Sequence, residues 1–329
     1  MNEDKQIFDA QSMIPELEHN LLEFLQSRKI EVEAIELIGI KGEGDSSTVF
    51  AINIDGVYHI LKVYRQEEAF QREIRHLRRQ IPRDRSLVVW PASSNKFHYF
   101  IVIIEVPEGT QISENMLSPN VSEQLASCLI EFHSSGSRRT RVDTQREVRQ
   151  LNEASKDAIA HAELFPDELG SAKLKELIGQ AESYALEHKN IFNLRQIRTH
   201  NDLWWANVIV AREDVYLIDW ENVGWGDYCK DLAFFRLMIY YERTAVPVSM
   251  WDESVDSEVF DAFYQPVLEE YVEHFNDETF WQRYAFYAFE QAIINFSRAY
   301  YGDRRGVPAA LEIMQTGIRL FEDYCLANN

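Results

Sequence analysis

The chain has 329 residues, of which 46% are hydrophobic and 26% are charged, and its formal net charge is -21. These values are typical of a globular protein with one large domain or two, and they exclude a disordered chain. The acidic balance argues against nucleic acid as a partner, because phosphate binding needs clustered Lys and Arg. A cationic partner would instead be attracted.

The start of the chain and its apolar runs predict a cytoplasmic protein with no membrane partner. The chain does not begin with a basic segment followed by a short apolar one, as a secretory signal would. It contains no apolar run of about 18 residues, the length that a membrane-spanning helix needs. Cys128, Cys229 and Cys325 are odd in number and far apart, which argues against a disulfide framework and a CxxC metal site.

The first third of the chain carries the patterns of β-strands together with two helices. Apolar periodicity predicts a helix over 14–27, and a charged helix over 67–80 ends before Pro82. Asp55-Gly56 is predicted to form a tight hairpin turn, since this dipeptide adopts the positive φ angles that such turns need. The predicted strands cover 34–40, 47–54, 57–63, 87–90 and 99–106.

The remainder, beyond Gly109, is predicted to be almost wholly helical. The exceptions are two short buried strands, 208–210 and 215–218, joined by a polar turn. A β-rich third followed by a helix-rich remainder implies two lobes, which we place at residues 1–106 and 107–329. The predicted helices cover 121–134, 145–160, 171–188, 229–241, 256–274, 278–299 and 307–326.

His200, Asp202 and Asn207 form an H-x-D-x-x-x-x-N pattern just before the first of these buried strands. In such a loop, one carboxylate faces a substrate hydroxyl and one carboxamide faces a magnesium ion. The second strand leads to Asp219 and is expected to bring it beside Asn207. Magnesium takes hard oxygen ligands, usually only one or two of them from protein carboxylates. The pattern therefore predicts a Mg²⁺-assisted phosphoryl-transfer site.

A glycine-containing hairpin lies between the first two predicted strands and includes Gly42, Gly44, Ser46 and Ser47. Glycines let a backbone approach phosphates closely, and consecutive N–H groups can face phosphate oxygens. The hairpin alone is a weak signal, because such turns occur in any β-sheet.

Lys62 strengthens the signal because it lies in an apolar strand, where a lysine needs a partner or a purpose. The following helix offers Glu73. A lysine that pairs with a helix glutamate while contacting phosphates is the arrangement of kinases. The alternative is that Lys62 faces solvent on an edge strand and Glu73 belongs to an ordinary charged helix.

Taken together, these motifs resemble the aminoglycoside phosphotransferase and choline kinase superfamily of protein-kinase-like small-molecule kinases. Segment 125–133 is similar to its LA..L..LH helix, and segment 224–233 is similar to its GWGDPxxDLA segment. The resemblance spans roughly residues 35–235. It implies an α+β fold of the protein-kinase-like bilobal type, with an N-terminal antiparallel β-sheet lobe and a larger, mainly helical C-terminal lobe.

The resemblance also implies roles for the residues of the phosphoryl-transfer loop. Asp202 would be the base or orienting carboxylate for the attacking hydroxyl, and Asn207 and Asp219 would hold Mg²⁺. His200 and Asp231 would support the loop rather than transfer protons.

ATP, or GTP, is implied as the co-substrate. Pro107 stands where kinases usually supply a backbone N–H to the base, and proline has no such donor, so the nucleobase is expected to contact the backbone differently. The residues implied in nucleotide binding are Gly42, Gly44, Ser46, Ser47, Lys62, Glu73, Glu105 and Val106.

The acceptor is expected to be a small cationic molecule of the aminoglycoside, choline, ethanolamine or amino-sugar type. Aromatic faces and carboxylates can bind an ammonium group, and Trp204, Glu221, Trp225 and Glu290 are the candidate contacts. The alternatives are a neutral sugar, a protein hydroxyl, or a non-catalytic nucleotide-binding pseudokinase. A pseudokinase would have lost Lys62 or residues of the loop, all of which are present.

Overall fold

The computed structural model describes residues 10–43, 47–80, 87–91, 100–105, 109–112, 116–165, 169–211, 214–245, 257–299 and 307–327. Its helices are α1 (Ala10–Ser27), α2 (Glu67–Gln80), α3 (Pro119–Ser134), α4 (Thr144–Ala162), α5 (Ser171–Glu187), α6 (Tyr228–Ala245), α7 (Ser257–Phe275), α8 (Phe280–Ala299) and α9 (Val307–Phe321), and a π-helical turn (Glu322–Leu326) follows α9.

The strands are shorter and lie mostly in the first third of the chain. They are β1 (Ile35–Glu43), β2 (Ser47–Ile54), β3 (Val57–Tyr64), β4 (Leu87–Trp90), β5 (Phe100–Glu105), β6 (Thr110–Gln111), β7 (Ser137–Arg141), β8 (Arg195–Thr199), β9 (Val208–Ala211), β10 (Asp214–Leu217) and β11 (Gly224–Gly226). This antiparallel-sheet region followed by a mainly helical one confirms the expected bilobal fold class.

The chain divides into two compact units. The first contains Met1–Glu108 together with Trp220–Asn222, and the second contains Gly109–Asp219 and Val223–Asn329. The short segment after Asp219 therefore belongs with the N-terminal unit, although it is far from it in sequence.

The first unit is built on a five-stranded antiparallel sheet in the order β1-β2-β3-β5-β4. The hairpin between β2 and β3 turns at Asp55 (φ 51°) and Gly56 (φ 84°), as predicted. Two consecutive positive φ angles match the right-handed twist of the flanking strands, which explains why Asp-Gly is favoured there.

Alternation along the strands of this sheet gives it two different faces. Odd-numbered positions of β3 and β5, such as Leu61 and Ile103, pack with Leu21 of α1 in one core. Even-numbered positions, such as Tyr64 and Val102, pack against α2 in another. Each fully buried Leu or Ile contributes about 1.5–3 kcal/mol. Because side chains alternate between the two faces, Lys62, at an even-numbered position of β3, lies on the face that packs against α2.

The second unit contains two small antiparallel sheets among its helices, in the orders β10-β9-β6 and β11-β8-β7. The second of these corrects the expectation that the chain beyond Gly109 is helical apart from the motif strands. Its strand β7 has five exposed residues, three of them arginines, and so shows no apolar alternation. Strand β11 is only Gly-Trp-Gly. Neither segment shows the alternating apolar pattern of a strand, and each is a strand only because it pairs with β8.

Within the described part of the chain, helix lengths and hydropathies fall short of those of a membrane-spanning segment.

Candidate active site

The β9–β10 hairpin places Asn207 and Asp219 at the same end of two paired strands. Val208 lies opposite Leu217 in the ladder. The Ile218 N–H donates to the Asn207 carbonyl at 3.0 Å, which extends the pairing by one residue. Because Asp219 follows directly, its backbone lies next to that of Asn207, as the sequence predicts.

The catalytic-loop segment around Asp202 is held from one side by His200. The His200 imidazole is fully buried, and its Nε2 donates to the Ile218 carbonyl at 2.9 Å. Burial lowers the pKa of His200, against the opposing effect of the nearby Asp231 carboxylate. A neutral ring with its proton on Nε2 therefore ties the loop to the β10 strand end.

Asp231, in the first turn of α6, holds the same loop by its backbone. Its Oδ2 accepts from the His200 N–H at 2.6 Å, and its Oδ1 accepts from the Asn201 N–H at 2.8 Å. An ionised carboxylate accepts such bonds with both oxygens. The role of a loop support, expected for Asp231, is consistent with this geometry.

His133, which ends the LA..L..LH segment, and Tyr271 lie behind Asp231, and neither was predicted to support the loop. The His133 Nε2 donates to Asp231 Oδ2 at 3.0 Å, and its Nδ1 shares a hydrogen bond of 2.6 Å with the Tyr271 hydroxyl. The available signal was a histidine at the end of an apolar helix. Nothing in the sequence indicates that a tyrosine 138 residues further on completes the chain of contacts.

Asn207 is oriented by its own loop. Its Nδ2 donates to the Asp202 carbonyl at 2.8 Å, so its carboxamide oxygen is the atom left to meet a cation. Asn201 (φ 61°) and Asp219 (φ 64°) both adopt left-handed backbone conformations, which non-glycine residues occupy mainly where the surroundings enforce them. The oxygen-only donor set of Asn207 and Asp219 suits Mg²⁺, which prefers hard ligands.

In the first unit, Lys62 and Glu73 form the predicted pair. The Lys62 Nζ donates to Glu73 Oε2 at 2.9 Å, and the residues are 3% and 1% exposed. The Tyr64 hydroxyl donates to the same carboxylate oxygen. Strand β3 is central in its sheet, so the alternative of a solvent-facing lysine on an edge strand is wrong.

The glycine-containing hairpin is described only in part. Gly42 pairs with Val49 across β1 and β2, after a register shift that follows Ile40. Ser47 begins β2 opposite Tyr64 of β3 and is buried. Gly44 and Ser46 lie outside the described residues.

The segment expected to bind the nucleobase is also only partly described. Glu105 ends β5 opposite His59 of β3, while Val106 and Pro107 lie outside the described residues. The predicted backbone contacts to the base therefore stay predictions.

Glu221 lies in a short 3-10 turn, Trp220–Asn222, that packs on α2. The Trp220 ring stacks on His76 with 4.1 Å between centroids, and the Arg72 Nε donates to the Glu221 carbonyl at 2.7 Å. These contacts fix the backbone of the turn and leave the Glu221 side chain partly exposed. Neither Arg72 nor His76 was among the site residues predicted from the sequence.

The tryptophans near the loop divide into a core residue and two partly exposed ones. Trp205 is buried, stacks on Phe235 at 4.2 Å and donates from Nε1 to the Phe235 carbonyl at 3.1 Å. Trp204 and Trp225 are partly exposed. The Arg138 guanidinium lies 4.6 Å from the Trp225 ring centroid, so one face of that ring already carries a cation.

Glu290 lies fully buried in α8, with its Oε2 at 2.9 Å from the Lys230 Nζ. The expectation that it contacts the acceptor is therefore revised. Its charge is matched by a lysine of the chain, and the side chain presents no surface to a ligand.

One comparison with known proteins identifies a family. The model of the phosphotransferase enzyme family matches residues 36–263. Among curated proteins, none matches the chain.

Solved structures of the same general fold include two kinds of small-molecule kinase. Aminoglycoside phosphotransferase APH(4)-Ia, a thermostable mutant in a ternary complex with AMP-PNP and hygromycin B, superposes with a TM-score of 0.58 at 14% identity, over 91% of this chain and 97% of that one. Choline kinase LicA from Streptococcus pneumoniae superposes with a TM-score of 0.53 at 16% identity, over 94% and 100%. At these identities the similarity is one of fold.

Proposed function

Because the chain belongs to the phosphotransferase enzyme family, we propose that it transfers the γ-phosphoryl group of ATP to a hydroxyl group of a small molecule. The observation that carries the proposal is the doubly anchored loop of the second unit. Asp231 holds the His200 and Asn201 amides, and His200 holds the Ile218 carbonyl. Phosphoryl transfer depends mainly on positioning and charge neutralisation, which such a fixed loop can supply.

Asp202 is the residue we assign to the acceptor hydroxyl. Its backbone carbonyl is held by the Asn207 side chain, and its carboxylate is partly exposed. A carboxylate in this place can orient the hydroxyl and accept its proton as the bond to phosphorus forms. Its pKa need not be raised for this role.

Asn207 and Asp219 are the residues we assign to Mg²⁺. Their side chains supply oxygen donors from neighbouring strand ends, and the Asn207 amide nitrogen is already engaged elsewhere. A bound magnesium ion would neutralise charge on the phosphate oxygens of the nucleotide.

Lys62 is the residue we assign to the nucleotide phosphates, with Glu73 as the partner that orients it. The buried ion pair at 2.9 Å and the second bond from Tyr64 to the same carboxylate hold the ammonium group of Lys62 in one position. A preorganised cation loses little freedom when the phosphates bind. We take ATP rather than GTP as the co-substrate, and an ATP-dependent reaction fits the cytoplasmic location expected from the sequence.

We propose a cationic acceptor. Residues 111–329 hold 36 acidic and 20 basic side chains, and a field of this sign raises the local concentration of cations. Glu221 and Trp204 are the contacts we assign, since both are partly exposed. Trp225 remains a candidate through the ring face that Arg138 does not cover.

The experiment is an ATP-consumption screen against aminoglycosides, choline, ethanolamine and amino sugars, with glucose and glycerol as neutral comparisons. We expect at least one aminated alcohol to stimulate ATP turnover in the wild type and none to do so in the Asp202→Ala variant. Stimulation by neutral sugars alone would contradict the cationic assignment. Equal turnover in both proteins would contradict the role of Asp202.

A further inference from the structure

Lys230 lies in the first turn of α6 and connects that turn to two other helices. Its Nζ donates to Glu147 Oε2 at 3.1 Å and to Gln150 Oε1 at 3.0 Å, both on α4. The same atom lies 2.9 Å from Glu290 Oε2 on α8. The contacts to α4 are hydrogen bonds, whereas the contact to α8 is an ion pair defined by its distance.

The surroundings make this lysine a fixed link rather than a mobile surface charge. Its side chain is only 22% exposed, and the Glu290 side chain is 0% exposed. The Tyr287 ring centroid lies 5.6 Å from Nζ. Burial alone would lower the pKa of Lys230, but the Glu290 and Glu147 carboxylates together raise it, so the lysine stays charged.

Lys230 is followed directly by Asp231, the residue that holds the catalytic loop. Consecutive helix residues point in directions about 100° apart. Lys230 accordingly contacts α4 and α8 while Asp231 accepts from the His200 and Asn201 amides. A shift or rotation of the first turn of α6 would thus move the Asp231 carboxylate relative to the loop.

We propose that Lys230 is a positioning residue for the catalytic loop: by tying the first turn of α6 to α4 and α8, it sets the place of Asp231 and through it of Asp202. The kinetic consequence rests on the proposed phosphoryl transfer, whereas the structural consequence does not. A misplacement of about 1 Å in a catalytic group can cost roughly a hundredfold in rate.

Replacement of the lysine is compatible with folding. Burial raises the pKa of Glu290 to about 7 even beside Lys230. Without the lysine charge, that pKa rises further, since an opposite charge nearby is what favours the ionised form. In Lys230→Met, the neutral form of Glu290 is therefore favoured further, with Glu147 of α4 and Tyr287 of α8 among its titratable neighbours. Glu147 loses the same lysine partner, but its side chain is 12% exposed and keeps some contact with solvent.

The structural test is hydrogen exchange of the His200 and Asn201 amides in the full chain. We expect these amides to exchange about ten times faster or more in Lys230→Met than in the wild type, and Lys230→Arg to restore most of the protection. The matched control is Lys173→Met, which removes a lysine from an exposed pair with Glu322 at 3.0 Å. It should leave both amides unchanged.

The kinetic arm measures conversion of Mg²⁺–ATP to ADP with water as the acceptor. Lys230→Met should lower kcat about tenfold to a hundredfold and leave the KM for ATP within about twofold, because Lys62 is untouched. If the substitution only reduced the amount of folded protein, the apparent activity would fall in proportion to the folded fraction, which circular dichroism measures.

A second variant, Glu290→Gln, keeps the side-chain shape and weakens only the link to α8, so it should raise exchange of the two amides by about twofold to fivefold.

Unchanged exchange of the two amides in folded Lys230→Met, or in Glu290→Gln if the first variant does not fold, would overturn the proposal. Faster exchange with unchanged kcat would also overturn it, since positioning would then have no effect on transfer. A wild type that turns over ATP neither with water nor with any acceptor of the screen would contradict the proposed function alone, and the exchange measurement would still decide the role of Lys230.

Discussion

At the scale of single residues, Asp231 shows how one side chain can organise a loop. Its two oxygens accept from the backbone of His200 and Asn201 and from the His133 ring. Such bonds to an ionised acceptor are roughly twice as strong as neutral ones, and two of the three donors, His133 and His200, are buried. The loop therefore keeps its shape before any substrate binds.

Asn201 adopts an unfavourable backbone conformation where this loop turns. Its φ of 61° lies in the region that asparagine tolerates and alanine avoids, at a cost of about 1 kcal/mol. We expect Asn201→Ala to lower the free energy of unfolding by about that amount and Asn201→Gly to leave it nearly unchanged. Urea denaturation of the three proteins measures the difference, and equal stability of the alanine variant would show that the backbone is not strained there.

His200 makes stability depend on pH in a defined direction. Burial lowers its pKa below the ordinary value of 6.5, so the unfolded chain binds a proton at this residue more readily than the folded chain does. The free energy of unfolding should accordingly fall as the pH drops below about 6.5.

The matched protein for this measurement is His200→Asn, which lacks the titrating ring. Glu290, whose pKa of about 7 is raised by burial, contributes with the opposite sign but is present in both proteins. Urea midpoints measured from pH 8 to pH 5.5 should decline more steeply in the wild type. A parallel decline in both proteins would mean that His200 does not carry the effect.

At the scale of elements, local patterns predicted those helices and strands whose apolar residues face a core. The predicted ends of α2 and the predicted turn at Asp55-Gly56 agree with the structure. Both predictions rest on local signals, namely an apolar face that repeats with the helical period and a dipeptide typical of tight turns. Strands β7 and β11 were missed, since their residues are exposed or too few to alternate. Pairing with β8 creates them, and pairing is not a local property.

The Lys62–Glu73 ion pair links β3 to α2. Substitutions of these two residues measure how much a buried ion pair contributes to the stability of the first unit. Lys62→Met leaves the Glu73 carboxylate buried with Tyr64 as its described donor, so we expect the free energy of unfolding to drop by about 3 kcal/mol or more. The double variant Lys62→Met/Glu73→Gln removes both charges and should recover most of that loss. Urea denaturation compares them. A double variant no more stable than the single one would contradict the explanation by loss of the opposite charge beside Glu73.

At the scale of the whole molecule, the residue types of the candidate site were predictable, whereas partners far apart in the chain were not. The spacing of His200, Asp202, Asn207 and Asp219 is visible in sequence because one loop and one hairpin carry it. His133 and Asp231 are in contact although they lie 98 residues apart in the chain. A single sequence does not show which distant residues contact each other. Glu290 was assigned to the acceptor for the same reason, since its partner Lys230 lies 60 residues away.

The net charge of -21 is a property of the molecule as a whole and bears on the acceptor rather than on the reaction. Attraction of a cation by such a field weakens as salt shortens the range of electrostatic forces. The role proposed for the loop around Asp202 does not depend on this field.

If the loop around Asp202 performs phosphoryl transfer, the rate of acceptor-dependent ADP formation depends on the Asp202 carboxylate. Wild type and Asp202→Asn, a variant of nearly the same shape, are compared for ADP formation from Mg²⁺–ATP in the presence of the aminated alcohols named above. We expect Asp202→Asn to lose about a hundredfold or more in acceptor-dependent turnover, with ATP affinity and thermal stability unchanged. Turnover by Asp202→Asn at the wild-type rate would contradict it.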